Sequence, residues 1–323
     1  MYRKLIFILL LFSGLAVDTI AQAAASQAQT QTQDADTLAK ALLWEISGDS
    51  INTSYLFGTI HLIPEEDFFL PEGTEEAIDA SSKMVFEIDL KAMMDDPMAQ
   101  MGLFMRAFMS NGKKLRDLLS EEDYKIVSDH FESMGLPMMI FERVKPMFLA
   151  VFASEDFAPG DMSMSMGGSK SYEMEFMTVA DSKSMDIGGL ETMEFQISMF
   201  DSIPYEVQAQ MLVESISSED EGDGQMAALI AMYKSQDVES LYSMLGDSDQ
   251  NMMEYEDMLV SGRNKNWIPI MEKMMGEETV FFAVGAGHLG GQDGVIRLLK
   301  REGYTLRPIS SIGSEGIRTK QRF

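Results

Sequence analysis

Twice this chain runs from an apolar, strand-like stretch into a glycine, two small or apolar residues, a histidine and a leucine. The first copy is Tyr55-Leu56-Phe57-Gly58-Thr59-Ile60-His61-Leu62, and the second is Phe281-Phe282-Ala283-Val284-Gly285-Ala286-Gly287-His288-Leu289. Short apolar runs bounded by glycine read as buried strands, and the glycine lets the backbone turn or another group approach closely. Histidine suits metal ligation and proton transfer near neutral pH. With only three histidines in 323 residues, two in one local setting predict a sheet whose strand ends bring both imidazoles to one reaction centre.

The rest of the pattern alternates strands with helices, which predicts an α/β fold with a mixed central sheet. Leu42–Ile46 and Ser54–Phe57 flank Gly48-Asp49-Ser50 as a hairpin,. A short helix over Pro71–Ser81 leads to a strand at Lys83–Leu90. Residues 95–160 and 192–275 read as long helical insertions. Ser120 before Glu121-Glu122-Asp123 is an N-cap signal, and Gly135-Leu136-Pro137 a stop. Breaks are expected near Glu219–Gly224 and Gly246–Ser248. Pro159–Lys170 reads as a Gly-, Ser- and Met-rich loop, Ser171–Ala180 as a helix, and Met185–Glu191 as a strand with a turn. Thr279–Val284 is a buried strand, Gly291–Arg301 a helix and Gly303–Pro308 a last strand.

Arg3 and Lys4, then an apolar Leu5–Val17 stretch and Ala21-Gln22-Ala23, have the order of a secretory signal peptide spanning 1–23,. A flexible linker over 24–40, an α/β domain over 41–310 and a basic tail over 311–323 follow. An exported protein, periplasmic or extracellular, is expected, with no stable membrane span after cleavage. The chain has no cysteine, which excludes disulfides and thiolate metal sites. A formal charge of -27, from 52 acidic and 25 basic residues, repels nucleic acid and anionic membranes. Thirty methionines are present, with Met162, Met164 and Met166 close together. Their spread over the whole chain reads as core filling rather than a Cu(I) site.

Glu87 is the third candidate. It lies in a strand where Val85, Glu87 and Asp89 share one face and Phe86, Ile88 and Leu90 the other. A carboxylate among apolar residues usually meets a metal, a base or a donor. Two histidines and a carboxylate make a common catalytic metal set that leaves positions open for water and substrate; the plain alternative is a satisfied strand glutamate with histidines bonded to loop backbone. Glu173 opens a helix, where acids often only complement the dipole. Glu191 could be a helix cap. Arg263 and Asn264, with Trp267, read as a helix end, although a guanidinium there could steady an oxyanion. His130 reads as a surface residue on an amphipathic helix. No G-x-S-x-G, H-E-x-x-H, P-loop or dinucleotide-binding motif occurs.

These residues resemble the TraB/GumN family, related to the Tiki metalloproteases. The matching segments are Leu43-Trp44-Glu45 with Tyr55–His61, Val85–Asp89, Gly189-Leu190-Glu191-Thr192, Arg263–Trp267 and Val284–Gly291, together covering about residues 42 to 308. The resemblance implies a divalent metal centre at His61, Glu87 and His288, with peptide-bond hydrolysis in some members and so a peptide or protein substrate. Manganese or cobalt is the ion it implies, and zinc fits the ligand types. Glu173, Arg263 and Asn264 fall where the family keeps polar residues. Haem-binding and esterase-like proteins belong to the wider superfamily. Two rival expectations therefore stand beside the hydrolase: a haem- or metal-binding protein without turnover, and a metal-free esterase with His61 as general base.

Overall fold

The computed structural model describes residues 37–153, 168–217, 219–247 and 255–309. The signal segment, most of the expected linker, the Met162–Met166 run and the basic tail lie outside these residues. The described chain opens with β1 (Leu43–Ser47), β2 (Ser54–Thr59) and the two-residue β3 (Ile63–Pro64). Helix α1 (Thr74–Asp79) leads into β4 (Lys83–Ile88). Then come α2 (Leu90–Asp95), α3 (Pro97–Arg106), α4 (Glu121–Ser133), α5 (Met138–Phe141) and α6 (Pro146–Phe152). A short β5 (Ser169–Lys170) precedes α7 (Tyr172–Lys183) and β6 (Asp186–Glu191). The second helical stretch is α8 (Met193–Phe200), α9 (Tyr205–Ser217), α10 (Glu219–Lys234) and α11 (Val238–Asp247). A π-helical turn at Asp257–Ser261 runs into α12 (Gly262–Glu277). Strand β7 (Val280–Gly285), α13 (Val295–Arg301) and β8 (Thr305–Ile309) end the described chain. The expected α/β class, with mixed strand pairing and long helical insertions, is what forms.

The described residues divide into two compact units. One comprises residues 37–60, 69–82, 227–247 and 255–309. In it β1 pairs antiparallel with both β2 and β8, while β2 pairs parallel with β7, Thr59 opposite Gly285. β7 is buried through Val280–Val284, which is why it reads as a continuous apolar run rather than an alternating one. A side chain at Gly58 would bring its Cβ to 3.0 Å from both Ala286 Cβ and Leu289 Cδ2. The glycine is there for that close approach, and its carbonyl accepts from the buried Tyr233 hydroxyl at 2.9 Å. Leu38 is already buried and Lys40 pairs with Asp237 at 2.7 Å, so ordered packing starts within the stretch read as linker.

The other unit comprises residues 61–68, 83–153, 168–217 and 219–226. Here β4 and β6 pair in parallel, Phe86 opposite Gly189, and β3 pairs with β5; Ser169 and Lys170 are therefore strand, not loop. Helix α4 starts where expected, Ser120 Oγ accepting from the Asp123 amide at 3.1 Å, and Gly135 at φ +76° follows its end. The expected break near Glu219–Gly224 does not occur: α10 runs through both glycines. The turn falls instead between α8 and α9, before Pro204, where the buried Gln208 donates to the Phe200 and Ile203 carbonyls and accepts from the Met147 amide. His130 is half-buried, its Nε2 2.6 Å from the Ala153 carbonyl, so it is a packing residue and not a surface one.

Buried Glu142 joins three segments of this unit. Arg116 Nε lies 2.9 and 3.0 Å from its two oxygens, and the Tyr124 hydroxyl also donates to it. Burial pushes this carboxyl up, but the Arg116 and Tyr124 hydrogen bonds and the charges of Arg116 and Lys114 outweigh it and hold it below its ordinary value of 4.5. A carboxylate with a depressed folded-state pKa stabilises above the unfolded value and loses that contribution as pH falls through the folded one. Glu142→Gln is accordingly expected to melt lower than the parent near neutrality, with the gap closing as pH falls below the ordinary carboxyl value and through the lowered folded one. Parallel thermal melts of the two proteins from neutral to acid pH check this. Among the described residues, no helix is long and apolar enough to cross a membrane.

Candidate functional site

His61 lies two residues beyond the end of β2 and is half-buried. Its Nδ1 lies 3.0 Å from Glu173 Oε1. Glu173 is the second residue of α7, where the positive end of the helix dipole favours a carboxylate. Ser171, the cap of that helix, donates its hydroxyl to Glu173 Oε2 at 3.0 Å. The acid is 7% exposed, so each oxygen is held by a specific donor. Glu173 is thus more than a dipole partner: it fixes an imidazole.

Glu87 stands near the end of β4, half-buried. Its Oε2 accepts from Gln196 Nε2 at 3.3 Å, and the same nitrogen donates to Glu191 Oε1. Glu191 ends β6, one residue before Thr192, whose hydroxyl caps α8 by accepting from the Phe195 amide at 3.2 Å. Glu191 is therefore not the cap. The parallel register that sets Ile88 opposite Glu191 is what brings two carboxylates from adjacent strands to one amide.

His288 lies in the 3-10 turn after β7 and is 8% exposed. Its Nδ1 is 2.7 Å from Asn264 Oδ1 and its Nε2 3.1 Å from Arg263 Nη1. A guanidinium can only donate, so Nε2 carries the lone pair and Nδ1–H donates to Asn264. Asn264 Nδ2 also donates to the His288 and Asp293 carbonyls, at 3.3 and 2.9 Å. Trp267 packs on the ring at 4.6 Å between centroids, and Arg263 lies over Trp267 at 4.9 Å. The turn beyond is held by Gly291, whose amide donates to Glu239 while its carbonyl accepts from Arg297.

Arg263 and Asn264 begin α12 rather than end a helix. The π-helical turn ahead of them explains the misreading, because a wider turn rotates the faces of the helix and breaks the apolar period. Arg263 Nη1 donates to the Leu259 carbonyl of that turn at 3.0 Å.

Of the residues singled out from sequence, the fold joins His61 to Glu173, Glu87 to Glu191, and His288 to Arg263 and Asn264. Gln196 and Ser171 were missed. For Gln196 a signal existed, since it shares a helical face with Met193, Ile197 and Phe200, where an amide is out of place. Among the described residues, no group of three or more His, Asp or Glu side chains is arranged to hold a metal ion.

The model of the TraB/PrgY/gumN family matches residues 42–308. Among curated proteins, the chain is similar to metalloprotease TIKI1 of Danio rerio, 24% identical over 86% of this chain and 65% of that protein. Homo sapiens metalloprotease TIKI1 is 21% identical over 81% and 60%, and Danio rerio metalloprotease TIKI2 21% over 78% and 57%. The chain thus spans under two thirds of the length of these relatives. No solved structure matches it. With the match running from β1 to β8 and through both G-x-x-H units, the chain belongs to the TraB/PrgY/gumN family.

Proposed function

We propose that this protein is an exported, metal-dependent hydrolase of peptide bonds in which His61, Glu87 and His288 hold one divalent ion, manganese, cobalt or zinc. The observation that carries the reading is the pairing of β2 with β7. These strands are parallel neighbours, and the register sets Thr59 opposite Gly285, so both G-x-x-H units leave the same end of adjacent strands. The relatives' naming as metalloproteases supports the reaction class, and the charge-then-apolar order up to Ala23 supports export.

The donor chemistry fits such an ion. Metal-ligating histidines characteristically donate their second ring nitrogen to an oxygen, which fixes the tautomer and raises ligand basicity. Both imidazoles do so: His61 Nδ1 towards Glu173 and His288 Nδ1 towards Asn264. Two nitrogens and a carboxylate suit manganese, cobalt or zinc. When bound, a divalent ion lowers the pKa of a water and polarises a carbonyl.

The chain's own groups supply the rest. Glu173 holds the His61 ring and, tied to Ser171, serves as an orienting acid. Glu191 is half-buried beside Glu87, which suits a carboxylate that takes up and returns a proton at its oxygens. Arg263 presents guanidinium hydrogens beside His288, where a developing oxyanion could be met; it must first release His288 Nε2.

A second reading is favoured by the Ser171–Glu173–His61 chain, which has the order of an oriented general base. It makes His61 a metal-free base on an ester. Elemental analysis of purified protein beside a peptide-library screen separates the readings. Bound metal with chelator-sensitive cleavage is expected. Hydrolysis that survives chelation would assign the chemistry to His61 alone, and metal or haem uptake without cleavage would make this a binding protein.

A further inference from the structure

Two buried glutamines in one unit are satisfied in opposite ways. Gln208 uses both amide hydrogens and its carbonyl oxygen on backbone partners. Gln196, 3% exposed, gives its nitrogen to Glu87 and Glu191 and leaves its buried Oε1 with no hydrogen-bond partner. A buried acceptor without a donor is destabilising, and such exceptions occur where function requires them. A stability-driven choice at this position, facing Met193, Ile197 and Phe200 on one helix face, is an apolar side chain.

The orientation of the amide is not free. An ionised carboxylate accepts only, so two of them can share one amide only through its two N–H groups. Turning the amide over would satisfy Oε1 no better and would set oxygen against oxygen at both acids. Adjacent strands otherwise place two like charges side by side. Gln196 relieves that repulsion with directed donors to one oxygen of each acid.

We infer that Gln196 is a positioning residue that binds Glu87 and Glu191 into one unit, fixing the carboxylate offered to the metal and the second acid beside it. This rests on Glu87 being a metal ligand. Outer-shell partners of metal ligands change affinity by roughly 10–100-fold when removed, which sets the expected size of the effect. Stability should move differently. Water can replace the lost donor at both half-exposed carboxylates, and an apolar side chain removes the orphaned acceptor.

The test is Mn2+ binding to the full chain by calorimetry and electron paramagnetic resonance, with thermal melts of the metal-free protein. Gln196→Leu is expected to weaken Mn2+ binding by roughly 10–100-fold and to broaden the Mn2+ signal, with a melting temperature unchanged within about 3 °C or raised. Gln196→Met, unbranched and of similar length, should do the same and serves if the leucine variant packs poorly. A lower melting temperature with unchanged Mn2+ affinity would make Gln196 a packing residue and overturn the inference. Glu87→Gln separates the two levels. If it leaves Mn2+ binding intact, the ligand assignment fails; if it abolishes binding while both Gln196 variants bind normally, only the inference about Gln196 fails.

Discussion

His61→Ala should purify as a folded protein that retains no stoichiometric divalent metal and has lost hydrolysis. The side chain is 29% exposed, so alanine opens little cavity, and Glu173 stays held by Ser171 and the start of its helix. Loss of a direct ligand should exceed the roughly 10–100-fold typical of outer-shell partners. Melting temperature should shift by only a few degrees, roughly what about 1 kcal/mol produces in a chain of this size. His288→Ala should show the same chemical loss with a larger fall in stability, because its ring is buried against Trp267. Elemental analysis, peptide cleavage and thermal melts on both variants decide it. Full metal content and full turnover in either would remove that histidine from the ligand set.

Asn264→Leu is expected to weaken both the fold and the site. The side chain is 1% exposed and serves three partners: His288 Nδ1, the His288 carbonyl and the Asp293 carbonyl. Each buried polar group left without a partner costs about 1–3 kcal/mol. A leucine, similarly branched but bulkier and without any polar atom, should therefore lower the melting temperature by about 10 °C. Metal affinity should drop by roughly 10–100-fold, as the imidazole loses the group that fixes its tautomer. Asn264→Asp makes the informative contrast. It keeps an acceptor for Nδ1–H but loses both donors to the carbonyls, so it should retain metal affinity better than it retains stability. A leucine variant that melts with the parent protein would show that the His288 turn is held by other means.

The parts of this fold that could be read from sequence are those where local chemistry decides. The buried run of β7, the hairpin of β1 and β2, and the Ser120 cap follow from side chains within a few residues of one another. The two histidines and Glu87 stood out because their types are rare or expensive in apolar strands. What escaped depends on register or helix phase. That Glu87 and Glu191 share Gln196 follows from the β4–β6 pairing, which no single segment encodes. That Arg263 and Asn264 open a helix and clasp His288 follows from the π-helical turn, a one-residue change of phase that a 3.6-residue period cannot reveal. The glycines at 222 and 224 misled in the opposite direction: their low intrinsic propensity, about 1 kcal/mol each, was overridden by the surrounding helix.

The pairing of β1 with β8 has a consequence for how the protein is made. Leu43 meets Ile309 and Tyr55 meets Phe281, so the hairpin of β1 and β2 gains its outer neighbours only after the segments carrying residues 281 and 309 have been synthesised. Contacts of such long sequence separation form slowly because a large loop must close first. Until then the hairpin of β1 and β2 carries two unsatisfied edges and apolar side chains in water, a state that invites a chaperone.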